Sequence, residues 1–388
     1  MERVQGAEKI KAAGDILSAW DAINNGVVDK TNKTRQKYWQ HWLAYAKTCK
    51  VSPFLDDCNP IKQAIIITAF AARVRKGSYG RGNTVKAPTV ATALAAISTT
   101  IELAGQRSPV YKAEGSYIEP VARAMEGWRR RDPASVPQLA VPVAIPNRLF
   151  HTAQQQNNPF HHAVADLALT AFYYLLRVGE YTDGSTLPSS PNAQKRTVNF
   201  CVQDVGFFKN NKILPRSSSL ATLLTADACT LKITNQKNGK MGETIHHEAL
   251  TDNDACPVQA LARRVHHILN NGGTSSTPIC HFFHQNKWQT VTPRDMIVSI
   301  RKAVTELQLQ RLGIAPDLVG VHSLRAGGAM ALKLTGHSDT TIMKIGRWRS
   351  LTFLEYIHNQ IGHLSADISH KMSTPLPFTN IAAIEAAA

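Results

Sequence analysis

The 388-residue chain is 43% hydrophobic and carries 44 Lys and Arg against 28 Asp and Glu, a formal charge of +16. That length suits two or three domains and the apolar share suffices for buried cores, so disorder is not the default; the basic excess points to a polyanion, nucleic acid ahead of an anionic membrane surface. The most apolar runs, AIIITAFAA and VADLALTAFYYLL, are too short for a bilayer or carry a charge, the opening MERVQGAEKIKAAGD lacks the apolar core of a signal peptide, and six cysteines without paired spacing fit a reducing compartment.

Asp15 to Pro53 reads as a short helix, a polar turn and a longer amphipathic helix, with Tyr38, Trp42 and Tyr45 spaced for one face and Lys30, Lys33, Arg35 and Lys37 near its start. Helices follow in PIKQAIIITAFAARVRKG, TVATALAAISTTIELAG and YIEPVARAMEGWRRR, parted by Gly- and Pro-containing turns. This half, 1–132, is expected to be all-α and basic. Four prolines in DPASVPQLAVPVAIPN then preclude a continuous helix, so 133–146 is assigned as a stiff, extended linker and 147–388 as a second domain.

In that second domain FHHAVADLALTAFYYLLRVGEYT predicts a buried helix with Arg177 at its end. TVNFCVQDVGFF, CTLKITN and ETIHHEA predict three short strands. Helices return in PVQALARRVHHILNNGG, with Pro257 in its first turn, and in TPRDMIVSIRKAVTELQL, with Thr292 as N-cap, Pro293 at the first position and Asp295 in the first turn. The fold class is therefore α+β: mainly α with a small antiparallel β-sheet, in two domains. The cluster CHFFH offers Cys280, His281 and His284, but without a second ligand pair a partly buried strand end is favoured over zinc.

Near the C-terminus VHSLRAGGAMALKL sets His322 and Arg325 three apart at a predicted helix start, where both share a face and both can address one anion beside the free N–H groups. A surface histidine next to a solvated arginine is the alternative. Arg177 with Glu180 three residues later is equally open to reading as an intrahelical ion pair. GRWRSLTFLEYIHNQ is a basic, helix-like segment holding an indole donor, Trp348, and Tyr356, the only tyrosine after Tyr181. In the preceding GHSD, Ser338 reads as a helix cap and His337 as structural.

Taken in chain order, Arg177 with Glu180, Lys237 in the turn TNQKNGKMGE, His322 and Arg325 in HSLRAGG, Trp348 in GRW and Tyr356 in FLEYIH resemble the tyrosine recombinase (phage integrase) family across the second half of the chain. GHSDTTIMKIGRW is similar to the matching turn and helix of Cre-like members, which also have Trp. HSLRAGGA together with IMKIGRWRS and FLEYI is similar to recombinases of eukaryotic mobile elements of the Crypton and DIRS-like type. Lys240 lies on the same turn as Lys237, which family order favours, and the Trp348-to-Tyr356 interval is one residue shorter than the family's.

The resemblance implies a two-domain, C-shaped DNA clamp, with 1–132 as an α-helical (SAM-like) core-binding domain and 147–388 as the catalytic domain, its small sheet carrying Lys237. It implies site-specific DNA cleavage and rejoining through a covalent 3′-phosphotyrosine, serving integration or excision of a mobile element, with no metal, ATP or other cofactor. Tyr356 would be the nucleophile, Arg177 and Arg325 the clamps on the non-bridging oxygens, and Lys237 the acid for the departing 5′-oxygen. His322 would move the tyrosine proton or bind phosphate, Trp348 would donate its indole N–H to the phosphate, and Glu180 would orient Arg177 or Lys237. Lys33, Arg35, Arg73, Arg75, Lys76, Arg81, Arg129 and Arg130 would contact the DNA backbone, although each basic run alone is equally a solvated face. The implied partners are double-stranded DNA and further copies of the chain, a dimer on each site and a tetrameric synapse, in an intracellular and, if eukaryotic, nuclear setting. A type IB topoisomerase with the same phosphotyrosine chemistry is one alternative reading, and a non-catalytic, transposon-derived DNA-binding protein is another.

Overall fold

The computed structural model describes residues 29–134, 138–184, 198–234, 242–251 and 255–356, together with four isolated positions before them. Their contacts divide them into two compact units, one of the described residues up to 134 and one of those from 138 onward.

The first unit is helical: α1 (Asp29–Cys49), α2 (Pro60–Arg75), α3 (Ala87–Leu103) and α4 (Glu119–Arg131). Its core is organised by the aromatic stripe expected on α1. Trp42 is fully buried, meets Phe70 edge-on at 5.2 Å and donates its indole N–H to the Pro53 carbonyl at 2.7 Å. Helix α2 starts where Asn59 accepts the Lys62 N–H at 2.8 Å and Pro60 occupies the first turn. Arg75, at the end of α2, bonds Asp132 and the Val85 carbonyl, and Asp132 also accepts the Ala87 N–H at 2.7 Å. One arginine thus closes the end of α2 against the start of α3 and the end of α4.

The second unit is built on α6 (Pro159–Tyr173), in which every residue from Ala163 to Phe172 is buried. A helix apolar on all sides needs cover on all sides. Cover comes from α5 (Ala144–Gln156), α9 (Pro257–Asn270) and α11 (His322–Leu334). The one charged residue on the buried stretch, Asp166, is held by Arg263 through Nε at 2.8 Å and Nη2 at 2.6 Å. The segment assigned to the linker packs on this unit: Ala140 and Val141 are buried, the Leu139 N–H bonds Leu318 and the Val141 N–H bonds Ser323. Prolines keep 138–143 out of a helix, although α5 already starts at Ala144, and the apolar side chains and pairing with chain near 318–323 keep the segment from being a free spacer.

An antiparallel sheet of order β2-β1-β3-β4 contains β1 (Val205–Lys209), β2 (Lys212–Leu214), β3 (Ala228–Lys232) and β4 (Thr244–Glu248), with the register Phe207↔Cys229↔His247 and Leu231↔Ile245. The short helix α8 (Leu220–Leu223) joins β2 to β3. A second hairpin, β5 (His281–His284) with β6 (Lys287–Thr290), places CHFFH at a strand, and a full capping box of Thr292 and Asp295 starts α10 (Pro293–Glu306). The last described elements of the unit are α12 (Asp339–Gly346), N-capped by Ser338, and a 3-10 turn, Leu351–Tyr356. Among the described residues no helix is long and apolar enough to cross a membrane.

One predicted element breaks. The long helix of the second domain stops at Tyr173. Leu175 turns left-handed (φ 48°) and the Leu176 N–H returns to the Ala171 carbonyl, a Schellman turn with Leu where Gly is usual. Arg177 is therefore not a helix end. It is the N-cap of a separate short helix, α7 (Val178–Tyr181).

Candidate active site

The site forms where α11 rests on the C-terminal end of α6. Close approach requires the paired glycines of HSLRAGG, because a Cβ on Gly327 would overlap the Val141 carbonyl and one on Gly328 would overlap the Phe172 carbonyl and the Leu175 side chain. His322 is the first residue of α11 and exposed, whereas Arg325, one turn on, is 3% exposed. The Arg325 guanidinium donates Nη1 to the Leu175 carbonyl and Nη2 to the Gly346 carbonyl.

From the other side come Arg177 and Glu180. The Glu180 carboxylate accepts the Arg177 backbone N–H at 2.8 Å and the Arg177 Nη1 at 3.2 Å, half of a capping box combined with an ion pair. Glu180 is almost fully buried, while the Arg177 side chain keeps 19% of its surface. The buried Tyr181 phenol donates to the Val321 carbonyl at 3.2 Å, fixing α7 against the residue before His322. Burial, reinforced by the Glu180 charge, pushes the Tyr181 phenol up, so it stays a protonated donor.

Trp348 is a half-buried aromatic whose ring lies 4.2 Å from the Arg325 guanidinium and 5.6 Å from Phe353. It folds back onto Gly346, whose missing Cβ leaves room for the indole ring. The structure thus gives Trp348 a cation–π contact beneath Arg325. Phe353, fully buried with Ala326, Met330 and Ile342, pins the turn that ends at Tyr356. The Tyr356 side chain lies outside the described parts, as do Lys237 and Lys240, which fall in 235–241 between the paired strands β3 and β4. Arg177, Glu180, His322, Arg325 and Trp348 are brought to one region of the second unit.

Sequence reasoning missed Arg347. Its side chain is 1% exposed, and its Nη2 reaches both the Leu175 carbonyl, at 2.8 Å, and Glu180 Oε2, at 3.0 Å. It ends α12 in the left-handed region (φ 59°), with the Trp348 N–H returning to Met343 in a second Schellman turn. Nothing in the letters GRWR separates Arg347 from the exposed Arg349; only the turn does. Burial pushes the Arg347 pKa down and Glu180 opposes the shift, but a guanidinium remains charged.

Of the expected DNA contacts, Lys33, Arg73, Lys76, Arg81, Arg129 and Arg130 are exposed on the first unit and Arg35 is half-buried on α1. Arg73 lies 5.7 Å from the Tyr45 ring and 5.8 Å from the Tyr79 ring, while Arg129 and Arg130 share Glu126 on α4. Arg75 is a correction: its bonds to Asp132 and Val85 make it an internal cross-link.

No protein-family model matches the chain and no curated protein matches it. Among solved structures it is similar to the Tn1549 transposon integrase in complex with circular intermediate DNA, at 13% identity and a TM-score of 0.47 over 91% of this chain and 97% of that one. It is also similar to the XerH site-specific recombinase bound to palindromic difH substrate, at 12% identity and a TM-score of 0.48 over 80% of this chain and 72% of that one. A third likeness, to XerA recombinase, has 12% identity and a TM-score of 0.35 over 92% and 96% of the two chains.

Proposed function

We propose that the chain is a tyrosine recombinase that breaks and rejoins DNA at specific sites through a 3′-phosphotyrosine. The observation that carries this reading is the convergence of Arg177 and Arg325 on the turn Leu175–Glu180, beside the exposed His322 at the start of α11. Two planar cations held by neighbouring acceptors in a largely buried site suit the non-bridging oxygens of a phosphodiester, whose charge grows in the pentacoordinate state.

The Tyr356 oxygen forms a bond to phosphorus as the P–O5′ bond breaks. His322 receives the phenolic proton, and Lys237 gives a proton to the departing 5′-oxygen. A tyrosine phenol ionises near pH 10, so the arginine field is what favours phenolate character near neutrality. The covalent link conserves the bond energy, and a 5′-hydroxyl from another strand reverses the step. Both units contact the duplex, the first through Lys33, Arg73, Lys76, Arg81, Arg129 and Arg130, which give salt-sensitive affinity. Two copies act on each site and four in the synapse, moving a mobile element.

The test is capture of SDS-resistant protein–DNA adducts from a library of nicked random-sequence duplexes in EDTA, followed by strand exchange on the recovered site. Adducts with exchange support a recombinase. Adducts with relaxation of supercoils but no exchange indicate a type IB topoisomerase, and tight binding without adducts indicates a non-catalytic DNA-binding protein.

A further inference from the structure

Arg347 is buried to 99%, yet its Nε and Nη1 have no hydrogen-bond partner among the described residues. Only Nη2 is used, on the Leu175 carbonyl and Glu180. Leaving charged donors unpaired in the interior is costly, because each gives up its hydration without a replacement bond. A cross-link between α7 and α12 does not require it, since an apolar side chain of similar volume serves packing as well.

The neighbours indicate what the spare donors are for. Arg347 shares the Glu180 carboxylate with Arg177 and the Leu175 carbonyl with Arg325, so two guanidiniums bond the carboxylate and the third meets Arg347 at the neighbouring carbonyl. The field of Glu243 adds a weaker negative contribution. Arg177 and the exposed His322 are the solvent-facing members of the group, and Arg325 and Arg347 the buried ones. The left-handed turn and the Glu180 bond hold the guanidinium in one place before any ligand arrives, which is the preorganisation that charge stabilisation needs.

We infer that Arg347 is a third phosphate-binding arginine of this site, which gives the Nε and Nη1 donors left unused among the described residues to a non-bridging oxygen of the scissile phosphodiester. This rests on the proposed phosphotyrosine chemistry. It moves the donor role expected of Trp348 one residue along the chain and leaves Trp348 as the platform under Arg325.

The test compares single-turnover adduct formation by wild type, Arg347→Gln and Arg347→Lys on a nicked duplex bearing the site recovered by adduct capture. One substrate has a normal scissile phosphate and the other a methylphosphonate, which lacks one anionic oxygen. Arg347→Gln is expected to slow adduct formation about 100-fold on the phosphodiester and to return to within about tenfold of wild type on the methylphosphonate, because the charge it served is gone. A structural cross-link would lose equally on both substrates, and that result, or no loss on the phosphodiester, overturns the inference. Should Arg347→Gln lack a cooperative melt, Arg347→Lys carries the comparison: a loss confined to the phosphodiester supports the role and an equal loss on both refutes it. Absence of adducts with wild type on either substrate sinks the recombinase reading and this inference together, whereas wild-type adducts with an indifferent Arg347→Gln sink only the inference.

Discussion

Arg347 and Glu180 form a 3.0 Å ion pair with 1% and 2% of their side chains exposed, and Glu180 serves Arg177 at the same time. Desolvating a carboxylate is tolerated here because two guanidiniums and a backbone N–H surround it. Glu180 is thus the counter-charge that lets Arg177 and Arg347 gather before a phosphate is present.

Removal of that counter-charge should be felt in the absence of DNA. Glu180→Gln keeps the shape but leaves Arg347 and Arg177 without their anion, and a loss of about 3 kcal/mol in the second unit is expected from urea unfolding. A change below about 1 kcal/mol would show that the arginines do not depend on the charge of Glu180.

Gly328 sets the distance between α11 and the end of α6. Gly328→Ala forces a methyl into the Phe172 carbonyl and Leu175, so destabilisation of roughly 1–3 kcal/mol is expected, with loss of adduct formation as Arg325 is pushed from its carbonyl partners. Thermal melts and adduct capture read the two effects, and a fully stable, fully active variant would contradict the packing described.

Trp348 separates platform from donor. Phe keeps a π-face without an N–H, so Trp348→Phe should stay within about tenfold of wild type in adduct formation, while Trp348→Ala, which strips the contact beneath Arg325, should fall further. Equal losses for Phe and Ala would instead return the phosphate-donor role to the indole.

His247 gives stability a pH dependence. It lies 4.5 Å from the Tyr174 ring, burial pushes its pKa down to about 4, and its Nε2 has no partner among the described residues. The unfolded chain takes a proton near pH 6.5 and the folded one only near 4, so stability is complete above about 6.5 and is lost as pH falls through that window. Burial pushes His267 in the same direction, also to about 4. His247→Phe should flatten the fall in unfolding free energy between pH 7 and 4.5, read from urea unfolding, by an amount on the order of 1–3 kcal/mol. Parallel pH profiles for variant and wild type would refute this assignment.

Features written in local chemistry were legible in the sequence. The Thr292–Pro293–Asp295 start, the Ser338 cap, the paired strands around Lys237 and the placing of His322 and Arg325 on one helix start each depend on residues a few positions apart. Features set by distant partners were not. The apolar run through Leu175 reads as helix because nothing local shows that its carbonyl will be taken by Arg325 and Arg347. Arg75 looked like one more surface cation until Asp132 closed on it, and the prolines of 133–146 suggested a spacer where Ala140 and Val141 are core. Arg347 was invisible for the same reason: its meaning comes from Glu180 and a left-handed turn.

The most direct test of the phosphotyrosine claim is to identify the amino acid that carries the nucleotide. Adducts formed in EDTA by wild type and Tyr356→Phe are digested with nuclease and trypsin, and the modified peptide is sequenced by mass spectrometry. The proposed chemistry predicts a nucleotide on Tyr356 within SLTFLEYIHNQIGHLSADISHK in wild type and no adduct in Tyr356→Phe. A nucleotide on another residue, or an adduct that persists in Tyr356→Phe, would contradict it.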